Sequence, residues 1–147
     1  MLITFAVKAQ GTSHIEKGTP CQDAAFAKIS DNKSFGIACV ADGHGGSKYF
    51  RSEKGSLLAV QIAEKALTNF YITISKELSA LLNHKVYNEC TANNYFQSKL
   101  KELEGNIIYS WRNAVFQDIE NNPFSDLEIE YCKLFRFKCE CFLIFLQ

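Results

Sequence analysis

Two short apolar runs, AAFAKI at residues 24–29 and FGIACVA at 35–41, flank the pentapeptide SDNKS. Strand-length runs around Ser, Asp and Asn, whose side chains suit a turn, predict an antiparallel hairpin. If the turn takes up residues 31–34, Ser30 pairs with Phe35, Ala24 with Ala41, and Asp23 falls opposite Asp42. Directly opposed residues of such a pair have Cβ atoms about 4.5–5.5 Å apart, and like charges there repel. Two carboxylates so placed can share a proton or hold a hard cation through oxygen. The flanking VADGHGG, residues 40–46, favours the cation: Asp42 ends an apolar strand, and Gly43 lets a backbone carbonyl come close to a metal. Mg²⁺ or Mn²⁺ is the expectation. Taken singly, each of these residues has a plainer use: Asp in turns, His in a loop, Gly-Gly to reverse the chain. Their combination is what points to chemistry.

Around the hairpin, residues 2–8 alternate as a further strand would, and GTSHIEKGTP at 11–20 reads as a loop. Leu58, Ala59, Ile62, Ala66 and Phe70 recur at three- and four-residue spacing and predict a helix over about 52–70, with a second over about 72–82. A third helix, about 95–119, carries the stripe Leu100, Leu103, Ile107, Trp111, Val115 and Ile119. NNPF ends it, and Ser125 with Glu128 forms a capping box that opens another short helix. Strands first and helices afterwards predict an α+β layered domain rather than alternating βαβ units.

At 147 residues the chain has the length of one domain. Lys plus Arg equals Asp plus Glu at 16 each, so no excess positive field exists to bind nucleic acid. No run reaches the roughly 18–20 apolar residues of a membrane span, and MLITFAVKAQG lacks the features of a secretory signal. The six cysteines form no CxxC pair, so reduced thiols in a cytoplasmic protein are expected.

The stretches SHIEKGTPCQDAAFA and FGIACVADGHGGSKYFRSEKGSLLAVQIA resemble the N-terminal half of the metal-dependent protein phosphatases, type 2C or PPM fold, and in particular their bacterial branch. The resemblance implies a partial α-β-β-α sandwich of antiparallel sheets flanked by helices. It further implies hydrolysis of phosphoserine or phosphothreonine in a protein substrate by metal-activated water, with two Mn²⁺ or Mg²⁺ ions in the complete domain. Carried over by position, Asp42 bridges the metals, the Gly43 carbonyl holds one, Asp23 joins through the same ions or their waters, and His44 is the general acid. Where many members have Glu-Asp and an upstream phosphate-gripping Arg, this chain has Gln22 and Gly18, which leaves that contact to Lys17 or His14.

Residues 1–130 thus read as the N-terminal part of such a domain, and 131–147 as an aberrant or unassigned tail, although the alternation at 134–141 also suits a strand. No DG follows Gly43, and the late Asp118 and Asp126 sit in helical or capping settings. The expectation is a truncated phosphatase of weak or no activity. The alternative is a non-catalytic, pseudophosphatase-like module that binds metal or a phosphoprotein.

Overall fold

The computed structural model describes residues 2–45, 49–83, 89–135 and 144–145. In chain order it comprises α1 (Thr12–Glu16), β1 (Ala24–Ile29), β2 (Gly36–Gly43), α2 (Ser52–Asn83), α3 (Glu89–Asn121), α4 (Asp126–Phe135) and β3 (Ile144–Phe145). The α+β class is as expected: a sheet of order β1-β2-β3 with long helices packed behind it.

The hairpin has the anticipated register, from Ile29↔Gly36 to Ala24↔Ala41. Its turn is closed by side chains as much as by backbone. The Ser30 hydroxyl accepts the Ser34 and Phe35 N–H groups at 3.0 and 3.2 Å, and the Ser30 N–H donates to the Phe35 carbonyl at 3.0 Å. Lys33 takes the left-handed conformation, φ 57°, that brings the chain round. β2 runs two residues further than its apolar stretch, so that Asp42 and Gly43 are themselves in the strand, paired with Phe145 and Ile144 of β3.

Burial alternates along β2: Ile37, Cys39 and Ala41 face the helices, while Ala38, Val40 and Asp42 face outward. The inward set joins Ala24 of β1 and Ala59, Val60 and Ala63 of α2 in the main core. The small side chains on this face of α2, Ser52, Ser56, Ala59 and Ala63, let the helix sit close on the sheet; both serines are fully buried. The stripe read from the sequence is the neighbouring face. Ile62, Ala66 and Phe70 line the groove toward α3, and Leu58 packs with Val115 of α3. Trp111 of α3 touches both clusters, and its indole N–H donates to the Gly55 carbonyl at 3.0 Å.

Three expectations need correction. Residues 2–8 form no strand: Ile3, Phe5 and Val7 are 67, 82 and 81% exposed, and among the described residues this segment has no ladder partner, without which alternation alone makes no strand. The 11–20 loop contains the single-turn helix α1, begun by the His14 and Ile15 N–H groups donating to the Gly11 carbonyl. The helices expected over 52–70 and 72–82 are one, because residues 70–72 contain neither Gly nor Pro to interrupt the ladder. In the tail, α4 continues to Phe135, so the first two residues of the 134–141 alternation are helical; the remainder lies outside the described residues.

The α3–α4 elbow carries the capping box read from Ser125 and Glu128. The Glu128 carboxylate accepts the Ser125 N–H at 2.8 Å, and the Ser125 hydroxyl accepts the Glu128 N–H at 3.3 Å. Arg51, immediately before α2, clamps this elbow. It donates to both Glu128 carboxylate oxygens at 2.8 and 2.9 Å and to the Asn122 and Pro123 carbonyls at 2.7 and 3.2 Å, and its guanidinium lies 4.4 Å from the centre of the Phe124 ring.

Candidate functional site

The strand ends bring Asp23 and Asp42 together, one step beyond the last pair of the β1–β2 ladder. The Gly43 N–H donates to Asp23 Oδ1 at 3.1 Å, and the two carboxyl groups are within hydrogen-bonding reach of one another. The Asp42 pKa is raised by partial desolvation, by the hydrogen bond with Asp23 and by the Asp23 charge, while the neighbouring His44 acts in the opposite sense. Two carboxyl groups within hydrogen-bonding reach of one another make a place where a cation, or a proton donor, is useful.

Both aspartates are solvent-exposed and line two adjoining depressions. One, of about 160 Å³, is walled by Gln10, His14, Cys21, Gln22 and Gly43. The other, of about 280 Å³, runs over the outer face of the hairpin past Val7, Ala25 and Val40. The strands hold the carboxylates still from behind. Ser56 of α2 donates its hydroxyl to the Gln22 carbonyl at 2.5 Å, tying the residue before Asp23 to the helix. Gly43 closes the same contact from the other strand. A Cβ there would overlap the Gln22 carbonyl and stand 2.8 Å from the Ser52 hydroxyl, so close packing alone demands glycine at this position.

His44 follows directly, half-buried, its ring edge-on to Tyr49 with centroids 4.9 Å apart. Lys17 stands exposed at the end of α1, whereas His14, one turn earlier, borders the smaller depression. Thus Asp23, Asp42 and Gly43 form one cluster, His44 adjoins it in the chain, and of the two upstream residues Lys17 and His14 the latter is the one that borders it. Among the described residues no group of three or more His, Cys, Asp or Glu side chains is arranged to hold a metal. The late aspartates have structural surroundings: Asp118 lies 3.9 Å from Arg51 and 3.5 Å from Lys54, and Asp126 opens α4.

Reading the sequence missed Ser52, Ser56 and Arg51. The serines were legible in principle, since they stand four apart on the face that continues through Ala59, Val60 and Ala63. The Arg51 contacts span more than seventy residues of chain and have no local signal. Cys21 and Cys39 are free thiols, the latter buried under α2 with its pKa raised by desolvation and by Glu64. No described helix is long and apolar enough to cross a membrane.

Comparison with curated proteins and with solved structures returned no match. A family model described as Protein phosphatase 2C matches residues 10–122, well over half of the chain. That span contains the whole carboxylate cluster, α1 and both long helices, and by it the chain belongs to the protein phosphatase 2C family.

Proposed function

We propose that this chain is a metal-dependent phosphoserine/phosphothreonine phosphatase domain whose centre is built on Asp23, Asp42 and the Gly43 carbonyl, with Mn²⁺ or Mg²⁺ as the ion. The observation that carries this reading is the convergence of two solvent-facing carboxylates at the strand ends, inside the span that matches a phosphatase family. The donors fit a hard cation. They are oxygens, they are anionic, and their mutual repulsion is relieved by a positive charge between them. Two carboxylates with one carbonyl suit an ion that keeps several waters, as Mg²⁺ does. When bound, such an ion would acidify water and neutralise phosphoryl oxygens.

The chain's own residues supply the rest. Asp23 and Asp42, fixed by the hairpin register and by Ser56 beneath Gln22, hold the charge in place. The Gly43 N–H keeps one Asp23 oxygen oriented. His44, beside Asp42, is the group from which a leaving alkoxide would take its proton. The segment at 12–18 supplies contacts to the substrate anion, with Lys17 exposed and His14 toward the cleft. Phosphorylated proteins are the substrate class that the family indicates. The six cysteines form no CxxC pair, a pattern that suits a reducing compartment such as the cytoplasm.

A second reading, a module that binds metal or a phosphoprotein without turnover, draws on the absence of a third ligating side chain beside the pair among the described residues. Phosphate release from a phosphothreonine peptide, with and without Mn²⁺, decides between the two. Mn²⁺-dependent release that falls at least a hundredfold in Asp42→Asn is the result expected of the enzyme. Release that is indifferent to Asp42 would overturn the proposal, and peptide binding without release would select the second reading.

A further inference from the structure

The segment of residues 2–9 lies on the outer face of the hairpin and runs in the direction of β2. At one end, a Cβ built on Gly36 would stand 3.0 Å from Thr4 Cγ2 and 3.5 Å from Leu2 Cδ2. At the other, Val7, Lys8 and Ala9 wall the depression of about 280 Å³ beside Val40 and Asp42. With Leu2 and Thr4 turned toward the hairpin, the alternation of an extended chain sends Ile3, Phe5 and Val7 the other way, and all three are exposed. Val40, exposed as well, adjoins this row across the same depression. Together the four side chains present on the order of 550 Å² of apolar surface, which is the size of patch that marks an interaction surface rather than scattered exposure.

Charge and symmetry point to the partner. Residues 2–9 contain a single charged side chain, Lys8, at one end of the row, and no acid. Nothing along the row therefore selects a foreign strand by its charge. A second copy turned about a two-fold axis at Phe5 meets the row with its own, placing Phe5 on Phe5 and Ile3 on Val7. The two Lys8 side chains then fall at opposite ends, whereas a parallel arrangement would bring like charges together. Such a pair would bury about 1,100 Å² in all, enough to clear the roughly 1,000 Å² expected of a specific interface, with an aromatic anchor at its centre.

We propose that two copies of this chain associate face to face through Ile3, Phe5 and Val7, about a two-fold axis at Phe5. The contact does not depend on the phosphatase reading. The test is sedimentation velocity on the full chain at concentrations up to about 200 µM, with Phe5→Lys, Phe5→Glu and an equimolar mixture of the two. Tyr109→Lys, at an exposed aromatic of α3, is the control for general stickiness, and circular dichroism checks that each variant is folded. The wild type should form a discrete dimer with a dissociation constant in the micromolar range. Either Phe5 variant alone should weaken it at least tenfold, by setting like charges together at the axis, and the mixture should restore it. Tyr109→Lys should dimerise as the wild type does. A wild-type chain that stays monomeric would overturn the proposal and leave the row to a strand of a different protein. A dimer indifferent to Phe5→Lys, or lost equally in Tyr109→Lys, would place the contact elsewhere. Failure of the mixture to recover, or open-ended association beyond a dimer, would overturn the two-fold arrangement.

Discussion

At the N-terminal end of α2 the Arg51 guanidinium is shared among Glu128, the Asn122 and Pro123 carbonyls and Asp118, with Arg51 and Glu128 only 14 and 23% exposed. Nine residues earlier Asp42 stands exposed beside a second carboxylate. The contrast shows in the acids themselves. The hydrogen-bonded Arg51 guanidinium holds Glu128 down to about 2, whereas desolvation and Asp23 push Asp42 up. One cluster has every charge answered within the chain, and its work is to hold α2, α3 and α4 together. The other sets two carboxylates side by side at the surface, with the Gly43 N–H on one and His44 near the other, which is a condition under which an acidic pair can recruit something from solution. Both lie at the same end of the sheet-facing helix α2, so charge density alone does not tell the two clusters apart; the balance of partners does.

The sharpest way to break this comparison is to unbalance the structural cluster. Arg51→Ala leaves Glu128 and two carbonyls without their partner and should cost about 3 kcal/mol of stability, read by chemical denaturation. A loss below about 1 kcal/mol would mean that the elbow is held by packing of Phe50, Phe124 and Val115 instead.

Acid should find the same cluster. The Glu128 pKa is about 2 in the folded chain against an ordinary 4.5, so its contribution is fully present above pH 4.5 and is lost as pH falls toward 2. It amounts to no more than about 3 kcal/mol. Glu128→Gln should flatten that part of the stability profile, and a profile with the same slope in wild type and variant would contradict the assignment.

The smallest effect on stability is expected at the Asp23–Asp42 pair. Asp42→Asn removes one of two adjacent charges and, measured without added metal at neutral pH, should leave Tm unchanged or slightly raised. A clear fall in Tm would show that Asp42 is a structural residue like Glu128, and the distinction between the clusters would fail.

How much of this could be read beforehand follows from the range of the interactions. The hairpin register and the Asp23–Asp42 encounter were legible because they depend on one turn and on a strict period of two. The capping box was legible because its partners lie three residues apart. The stripe of α3 was legible too, whereas on α2 large side chains drew attention to the α3 seam and concealed the sheet-facing row of Ser and Ala. The alternation at residues 2–8 misled because it describes a side-chain pattern and not the presence of a ladder partner. The position of His14 beside the aspartates was not legible in its own segment. It depends on Gln10 and Thr19 folding the chain back, and on Gly45 leaving room for the ring.

On the proposed function, Asp23 and Asp42 form a cation site and not merely a pair of like charges at a strand end. Calorimetric titration of Mn²⁺ into the full chain and into Asp42→Asn tests it most directly, since it requires no turnover. Saturable binding by the wild type that is at least tenfold weaker in the variant, with the fold unchanged by circular dichroism, is the expected result. Equal binding by the two chains would remove Asp42 from any metal site and contradict the proposed function.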